Sequence, residues 1–128
     1  MKKLDIQDSL TQQIIGCIIK VHRTLGPGFV ESVYRRALVV ELNQCALAVE
    51  TEKLLYIHYE KVLVGRHRLD LVVANEVVIE IKAVRALHEV HYAQLRSYLK
   101  AARLRTGILV NFSTERADYR RLSAVVHD

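Results

Sequence analysis

Apolar residues recur at helical spacing over the first third of the chain. Between Asp8 and Leu25 they return every three or four positions, which predicts an amphipathic helix. The next stretch, LGPGFVE at residues 25–31, contains the only proline and two of the five glycines, so it predicts a break. A second helix is predicted from about Val30 to Ala46, where apolar side chains again share one side.

β-Branched and aromatic residues dominate from residue 49 onward, with turn signals at Gly65 and at Ala74-Asn75-Glu76. This pattern predicts three antiparallel strands, then a helix, then two more strands. The predicted bounds are 49–60, 66–74 and 77–83 for the first strands, 88–102 for the helix, and 106–112 and 120–126 for the last strands. The order ααβββαββ is typical of an α/β sandwich with a central mixed sheet flanked by helices.

Charged residues interrupt the apolar hairpin LDLVVANEVVIEIK at residues 69–82. Side chains alternate faces along a strand, so Glu80 and Lys82 point the same way. A three-residue turn would place Asp70 opposite Glu80, whereas a two-residue turn would bury Asp70 beside Ile81 on the apolar face, which is costly. The three-residue register is therefore predicted, with Asp70, Glu80 and Lys82 in one polar cluster. The opposite face of the hairpin would carry Leu69, Leu71, Val73, Val77, Ile79 and Ile81.

Two neighbouring carboxylates repel each other unless a cation or a shared proton lies between them. Lys82 would supply that cation in a structural salt-bridge trio. A hard divalent ion would do so as well, because Mg²⁺ takes oxygen ligands from one or two carboxylates and keeps several waters. Lys82 would then position or deprotonate the attacking water in phosphodiester hydrolysis. One acidic-x-Lys match is expected by chance in a chain with 14 acidic residues, so the spacing alone leaves both interpretations open.

The charge balance favours an acidic partner. The 128 residues include 19 lysines and arginines, 14 acidic residues and a net charge of +5. Such a balance is typical of nucleic-acid binding, although many basic proteins bind no polyanion. The arginines form local clusters at Arg35 and Arg36, at Arg66 and Arg68, at Arg103 and Arg105, and at Arg116, Arg120 and Arg121.

Apolar runs in the chain are far shorter than the roughly 20 residues that span a bilayer. The N-terminal stretch has no signal-peptide cleavage site. We therefore expect a cytoplasmic protein without membrane contact. Cys17 and Cys45 are too few for a disulfide framework and are expected to be reduced, buried thiols.

Several separated motifs resemble one known group of proteins. Asp70, followed by Glu80-Ile81-Lys82 on the next strand, resembles the signature of the PD-(D/E)xK nuclease superfamily. The stretch GFVESVY at residues 28–34 is similar to the motif of the bacterial GxxExxY family within that superfamily. The resemblance covers almost the whole chain. It implies one restriction-endonuclease-like domain over residues 1–128, with residues 1–25 as an N-terminal helical extension.

The resemblance implies the residues of a metal-dependent site. Asp70 and Glu80 would be the main metal ligands, and Lys82 would be the catalytic lysine. Glu31, the acidic residue of the GxxExxY-like motif, would reach the same metal from the second helix. Its carboxylate could equally be placed there only by the favourable dipole of a helix N-terminus.

Three accessory residues are also implied. Gln94 and Tyr98 resemble the QxxxY motif of RecB-like nucleases, and their spacing of four makes them face the same way, toward the site or the DNA backbone. Tyr34 would line the site, with a core tyrosine as the alternative. Lacking convincing metal-ligand spacing, four histidines are expected at the surface or behind the ligands: His58, His67, His88 and His91.

The implied function is Mg²⁺- or Mn²⁺-dependent hydrolysis of DNA. The alternative is a non-catalytic module that binds nucleic acid or a protein partner, because resemblance implies a fold more securely than an activity. A homodimer would place two sites across two DNA strands. Leu69 stands where the superfamily name has proline, and the four cysteines of iron–sulfur relatives are absent, so no iron–sulfur cluster is expected.

Overall fold

The computed structural model describes residues 6–126, which form three helices and five strands. The predicted domain limits at residues 1 and 128 lie outside this range. The elements are α1 (Ile6–Leu25), α2 (Glu31–Gln44), β1 (Val49–Tyr59), β2 (Val62–Val73), β3 (Val77–Lys82), α3 (Glu89–Ala102), β4 (Thr106–Asn111) and β5 (Asp118–Ser123). Their order is the predicted ααβββαββ.

Within the described range the strands form one sheet in the order β1-β2-β3-β4-β5. β3 and β4 run parallel, and the other neighbours are antiparallel. The sheet is therefore mixed, and the predicted α/β sandwich is confirmed. None of the helices in residues 6–126 is both long and apolar enough to cross a membrane.

The sheet separates two hydrophobic clusters. One cluster joins α1 and α2 to side chains such as Leu71, Ile79 and Phe112. The other joins α3, through Leu95 and Leu99, to the opposite face of the sheet. The apolar periodicity of each helix therefore corresponds to one buried layer.

The turn between β1 and β2 differs from the prediction. Glu60 and Lys61 both adopt left-handed backbone, with φ of 50° and 66°. Two such residues close a tight hairpin whose twist matches that of the flanking strands. β2 therefore starts at Val62 rather than residue 66, and Gly65 lies inside the strand opposite Ile57.

The two cysteines also differ in part from the prediction. Both are free thiols, but only Cys17 is buried, whereas Cys45 is exposed. The difference arises because α2 ends at Gln44 and Cys45 is its C-cap. Burial and the neighbouring Cys45 raise the pKa of Cys17 to about 12.

Tyr34 holds the break between α1 and α2 in place. Its hydroxyl donates to Gly26 O at 2.5 Å and accepts from Phe29 N at 3.2 Å. Its ring is fully buried and stacks on Phe112 with centroids 4.4 Å apart. Gly26, with φ of 68°, supplies a left-handed conformation that favours glycine. These contacts fix the start of α2 and with it the position of Glu31.

Replacing Tyr34 by phenylalanine removes both hydroxyl contacts and keeps the ring stack. We expect the free energy of unfolding to fall by about 1–3 kcal/mol, because two backbone groups of a partly buried turn lose their partner. Urea denaturation measures the change. Tyr59→Phe, at a ring that is 69% exposed, is the matched control and should change little. Equal effects of the two substitutions would contradict the assigned role of the hydroxyl.

Candidate functional site

The backbone pairing of β2 with β3 ends at Leu71 and Ile79. Beyond this pair, two side chains take the place of backbone partners. Asp70 N donates to Glu80 Oε2 at 2.9 Å, and Ile81 N donates to Asp70 Oδ2 at 2.7 Å. The two strands therefore separate at Asp70 and Glu80, and we call this point the fork. The predicted three-residue register is confirmed, since Val73 pairs with Val77 and Val72 pairs with Val78.

Glu80 is a buried carboxyl group, with 5% of its surface exposed. Burial, followed by repulsion from Asp70, raises its pKa to about 8. The positive charge of Lys82 acts in the opposite direction but does not cancel these effects. At neutral pH the carboxyl group is therefore mostly protonated until a stronger cation balances the two acids.

His67 lies beside Glu80, and strict strand alternation does not predict this position. Its Nε2 is 2.8 Å from Glu80 Oε1, and its ring stacks on Tyr98 of α3 with centroids 3.9 Å apart. His67 is therefore part of the cluster that surrounds the fork.

The contact between His67 and Glu80 arises because the side chains of β2 change from one face of the sheet to the other along the strand. Leu69 packs in the cluster on the α3 side, whereas Leu71 packs on the α1–α2 side. The predicted placement of Leu69 beside Leu71 is therefore wrong. β1, the partner strand, is irregular at the same level, because Glu52 adopts a left-handed backbone with φ of 49°. The regular pairs on either side of Glu52 are Thr51 with Leu71 and Lys53 with Leu69. This irregularity also turns His67 toward α3.

The distance between His67 and Glu80 is that of an ion pair, but the pKa directions argue against opposite charges. Burial lowers the pKa of His67, and burial together with Asp70 raises the pKa of Glu80. The contact at neutral pH is therefore a hydrogen bond between two largely uncharged groups. Burial and the charge of Glu80 raise the pKa of Tyr98, so its hydroxyl also keeps its proton.

Lys82 and Glu31 lie where β3 ends. Lys82 is the last residue of β3, and its charge lowers the pKa of Glu80, His67 and His91. Glu31, the first residue of α2, accepts a hydrogen bond from Ala83 N at 3.3 Å. Glu31 and Lys82 are thus on adjoining segments at the same end of the sheet.

Asn111 fixes the segment that follows β3. Its side chain is fully buried, accepts from Val84 N at 3.1 Å and donates to Val84 O at 2.8 Å. The sequence analysis assigned no role to this residue. A buried amide at the end of the apolar strand GILVN was the available signal, because such a group must find partners.

The remaining predicted residues lie in different surroundings. Gln94 is exposed on α3, and helical spacing places it on the same side as His91 and Tyr98. Tyr34 is in the core between α2 and Phe112, with its hydroxyl bonded to the turn before α2. Its contacts are those of a structural residue, whereas Tyr98 contacts the cluster at the fork directly.

The donor set at the fork fits a hard divalent ion. Asp70 and Glu80 offer neighbouring carboxylate oxygens, and their repulsion is relieved when a cation binds. Mg²⁺ needs only one or two carboxylates, since waters complete its coordination. No group of three His, Cys, Asp or Glu residues within the described chain is arranged to hold a metal ion. The role of Glu31 as a third metal ligand stays a prediction.

A mixed sheet with paired carboxylates and a lysine at the end of one strand defines a nuclease-like α/β domain. The chain belongs to the PD-(D/E)XK nuclease superfamily, whose family model matches residues 8–122. Members of this superfamily generally use divalent metal ions. The narrower resemblance to the GxxExxY family stays a prediction.

Similarity to solved structures agrees with the fold. The crystal structure of SSO0001 superposes with a TM-score of 0.55 at 23% sequence identity, covering 75% of this chain and 50% of that one. At this identity the likeness concerns the fold alone, and the chain spans half the length of that protein. No curated protein matches the chain significantly.

The raised pKa of Glu80 predicts a pH-dependent stability in metal-free protein. Between the ordinary pKa of 4.5 and the folded value of about 8, the folded state holds a proton that the unfolded chain has released. The free energy of unfolding should therefore be highest below that window and fall as the pH rises through it. Urea denaturation in EDTA at a series of pH values measures the slope.

Glu80→Gln should lose this slope because the amide does not titrate. Glu76→Gln, at an exposed turn position, is the matched control and should keep the wild-type slope. Identical pH profiles for wild type and Glu80→Gln would show that the raised pKa is incorrect.

Proposed function

We propose that this chain is a divalent-metal-dependent nuclease that hydrolyses phosphodiester bonds of DNA. The observation that carries the proposal is the pair of neighbouring acids at the fork, the buried Glu80 and Asp70, each of which accepts a hydrogen bond from a backbone N–H of the opposite strand. Lys82 follows two residues after Glu80 on β3, and its charge acts on Glu80. A structural salt-bridge trio would be expected to leave the two acids charged and balanced. Here Lys82 does not offset the rise in the pKa of Glu80, which leaves the site suited to a further cation.

In the proposed site, Asp70 and Glu80 hold Mg²⁺ or Mn²⁺. When bound, such an ion supplies Lewis-acid polarisation of the phosphoryl group and lowers the pKa of water. Lys82 lies where it can stabilise negative charge that develops on the phosphoryl oxygens. Glu31 accepts a hydrogen bond from the backbone after β3. Gln94 and Tyr98 on α3 are proposed as accessory residues of the same site.

DNA is the proposed substrate because the superfamily match is accompanied by a net charge of +5. Phosphate contacts provide most of the affinity of nucleic-acid binding, and arginine outnumbers lysine in this chain. The choice of DNA over RNA, like the choice of Mg²⁺ over Mn²⁺, is tested directly by substrate and metal.

The proposal predicts metal-dependent cleavage that requires both Glu80 and Lys82. Wild type is incubated with supercoiled plasmid, linear duplex, a single-stranded oligonucleotide and RNA of the same sequence, each in Mg²⁺, Mn²⁺ or EDTA. Glu80→Gln should reduce cleavage by weakening metal binding. Lys82→Met should reduce it roughly a hundredfold or more by removing a charge that stabilises the transition state.

Glu76→Gln and Lys100→Met remove one charge of each sign from exposed positions and are the matched controls. Calorimetric titration with Mn²⁺ provides a second measurement that does not depend on turnover. Wild type that neither cleaves DNA nor binds Mn²⁺ would contradict the proposal. Salt-sensitive DNA binding without cleavage would instead favour the non-catalytic module.

His67 is proposed to position Glu80 through its hydrogen bond. Partners that hold a metal-ligating side chain typically contribute about 10–100-fold to metal affinity or activity. His67→Phe keeps a ring against Tyr98 and removes the hydrogen bond, so Mn²⁺ affinity should fall by roughly this factor. His58→Phe, at an exposed strand position, is the control for the same calorimetric titration. Unchanged Mn²⁺ affinity in His67→Phe would refute the positioning role.

A further inference from the structure

The hairpin of β1 and β2 continues well beyond the rest of the sheet. β2 has 12 residues, but only Leu71, Val72 and Val73 pair with β3. The preceding residues of β2 pair with β1 alone, so residues 53–69 form a two-stranded ribbon, here called the arm. Because β2 and β3 are antiparallel, the arm extends past the carboxyl end of β3, where Lys82 lies. At about 3.3 Å per residue, its eight β2 residues reach roughly 25 Å.

The two faces of the arm differ in their surroundings. One face carries Leu55 and His67, which lie opposite each other on the two strands. Leu55 belongs to the hydrophobic cluster that includes α3, and His67 stacks on Tyr98 of α3. Alternation places the cross-strand pair Tyr56 and Arg66 on the other face, together with Arg68. Tyr56 is 49% exposed, and both arginines are exposed. We call Tyr56, Arg66 and Arg68 the open face.

The open face is positively charged without local compensation. Among residues 6–126, no carboxylate lies at salt-bridge distance from Arg66 or Arg68. The acids at the base of β1 have other partners, since Glu52 pairs with Arg35 at 3.7 Å and Glu50 with Lys53 at 3.2 Å. Over the whole arm there are four lysines and arginines and one glutamate.

The open face begins close to the fork along β2. Arg68 is two residues from Asp70 on the same strand, and Arg35 is one helical turn from Glu31 on α2. Arg35 and Arg36 line one shallow depression with Thr51 and Glu52 at the base of β1. Because α2 and the open face both lie on the side of the sheet opposite α3, two arginine clusters that are far apart in sequence share that side.

We propose that the open face binds an unpaired DNA strand that leaves the candidate site, an inference that rests on the proposed function. Arginine matches the charge and geometry of phosphate, and an exposed tyrosine offers a surface on which any base can stack. An unpaired strand presents its bases and its phosphates together along one path, as the cross-strand arrangement of Tyr56 and Arg66 requires. The bases of an intact duplex are stacked on each other and do not reach such a ring.

The test measures binding of a fluorescent single-stranded oligonucleotide in EDTA, where cleavage does not interfere. Arg66→Gln with Arg68→Gln should weaken binding at least tenfold at low salt. It should also reduce the slope of log affinity against log salt by about 1.4, which corresponds to two lost phosphate contacts. Tyr56→Ala should weaken binding about tenfold, whereas Tyr56→Phe, which keeps the stacking ring, should restore it.

Arg103→Gln with Arg105→Gln is the matched control. It removes the same charge from exposed residues just before β4, whose first residue pairs with the start of β3, at the end of the sheet away from the fork. Equal losses in the two double variants would overturn the proposal, and so would equal losses for the oligonucleotide and a blunt duplex. The apolar tip of the arm, with exposed Val62, Leu63 and Val64, makes a second copy of the chain the other conceivable occupant. Sedimentation that shows a dimer for wild type and a monomer for Arg66→Gln with Arg68→Gln would therefore also overturn the proposal.

These results are separable from the proposed function. Cleavage by wild type with unchanged binding in the arm variants would refute the open face and leave the nuclease proposal intact. Loss of binding in the arm variants, in a protein that never cleaves, would support the open face and refute the nuclease proposal.

Discussion

The rest of the site depends on one exchange of hydrogen bonds, in which Asp70 and Glu80 each accept from the backbone of the opposite strand. Antiparallel strands normally continue to pair until a turn or an edge ends them. Here two carboxylates replace the next backbone acceptors, so β2 and β3 separate while the sheet is still covered by helices. The polar cluster is thereby placed at the boundary of the buried layer, with both acids held in fixed orientations.

The electrostatics of the pair follow from that placement. A carboxylate at the end of an exposed hairpin would be solvated, and its neighbour would matter little. Glu80 is buried next to a second acid, so its charged form is disfavoured twice. The backbone donor from Asp70 and the ammonium of Lys82 act against this effect and are too weak to reverse it. Such an arrangement is unstable as a charged pair without a cation, which is why a simple salt bridge explains it poorly.

Much of the fold and part of the site could be predicted from sequence. The three-residue turn at Ala74-Asn75-Glu76 fixed the register, because the alternative would have buried an unpaired acid. The position of His67 could not be predicted, because strict alternation assumes a regular strand and the face of β2 changes beside Glu52. Asn111 was missed for a related reason, since its role depends on Val84, which lies 27 residues away in sequence.

The change of face along β2 has consequences in both directions from Asp70. Toward the turn that leads to β3, it leaves Leu71 and Val73 on the α1–α2 side, where they complete the core with Tyr34 and Phe112. Toward the hairpin tip it turns His67 onto α3, so the neighbouring arginines must point to the opposite, uncovered side. A regular strand would instead have turned His67 away from Glu80 and directed Arg66 and Arg68 to the α3 side. The irregularity that supports Glu80 therefore also determines which face of the arm is free to meet a ligand.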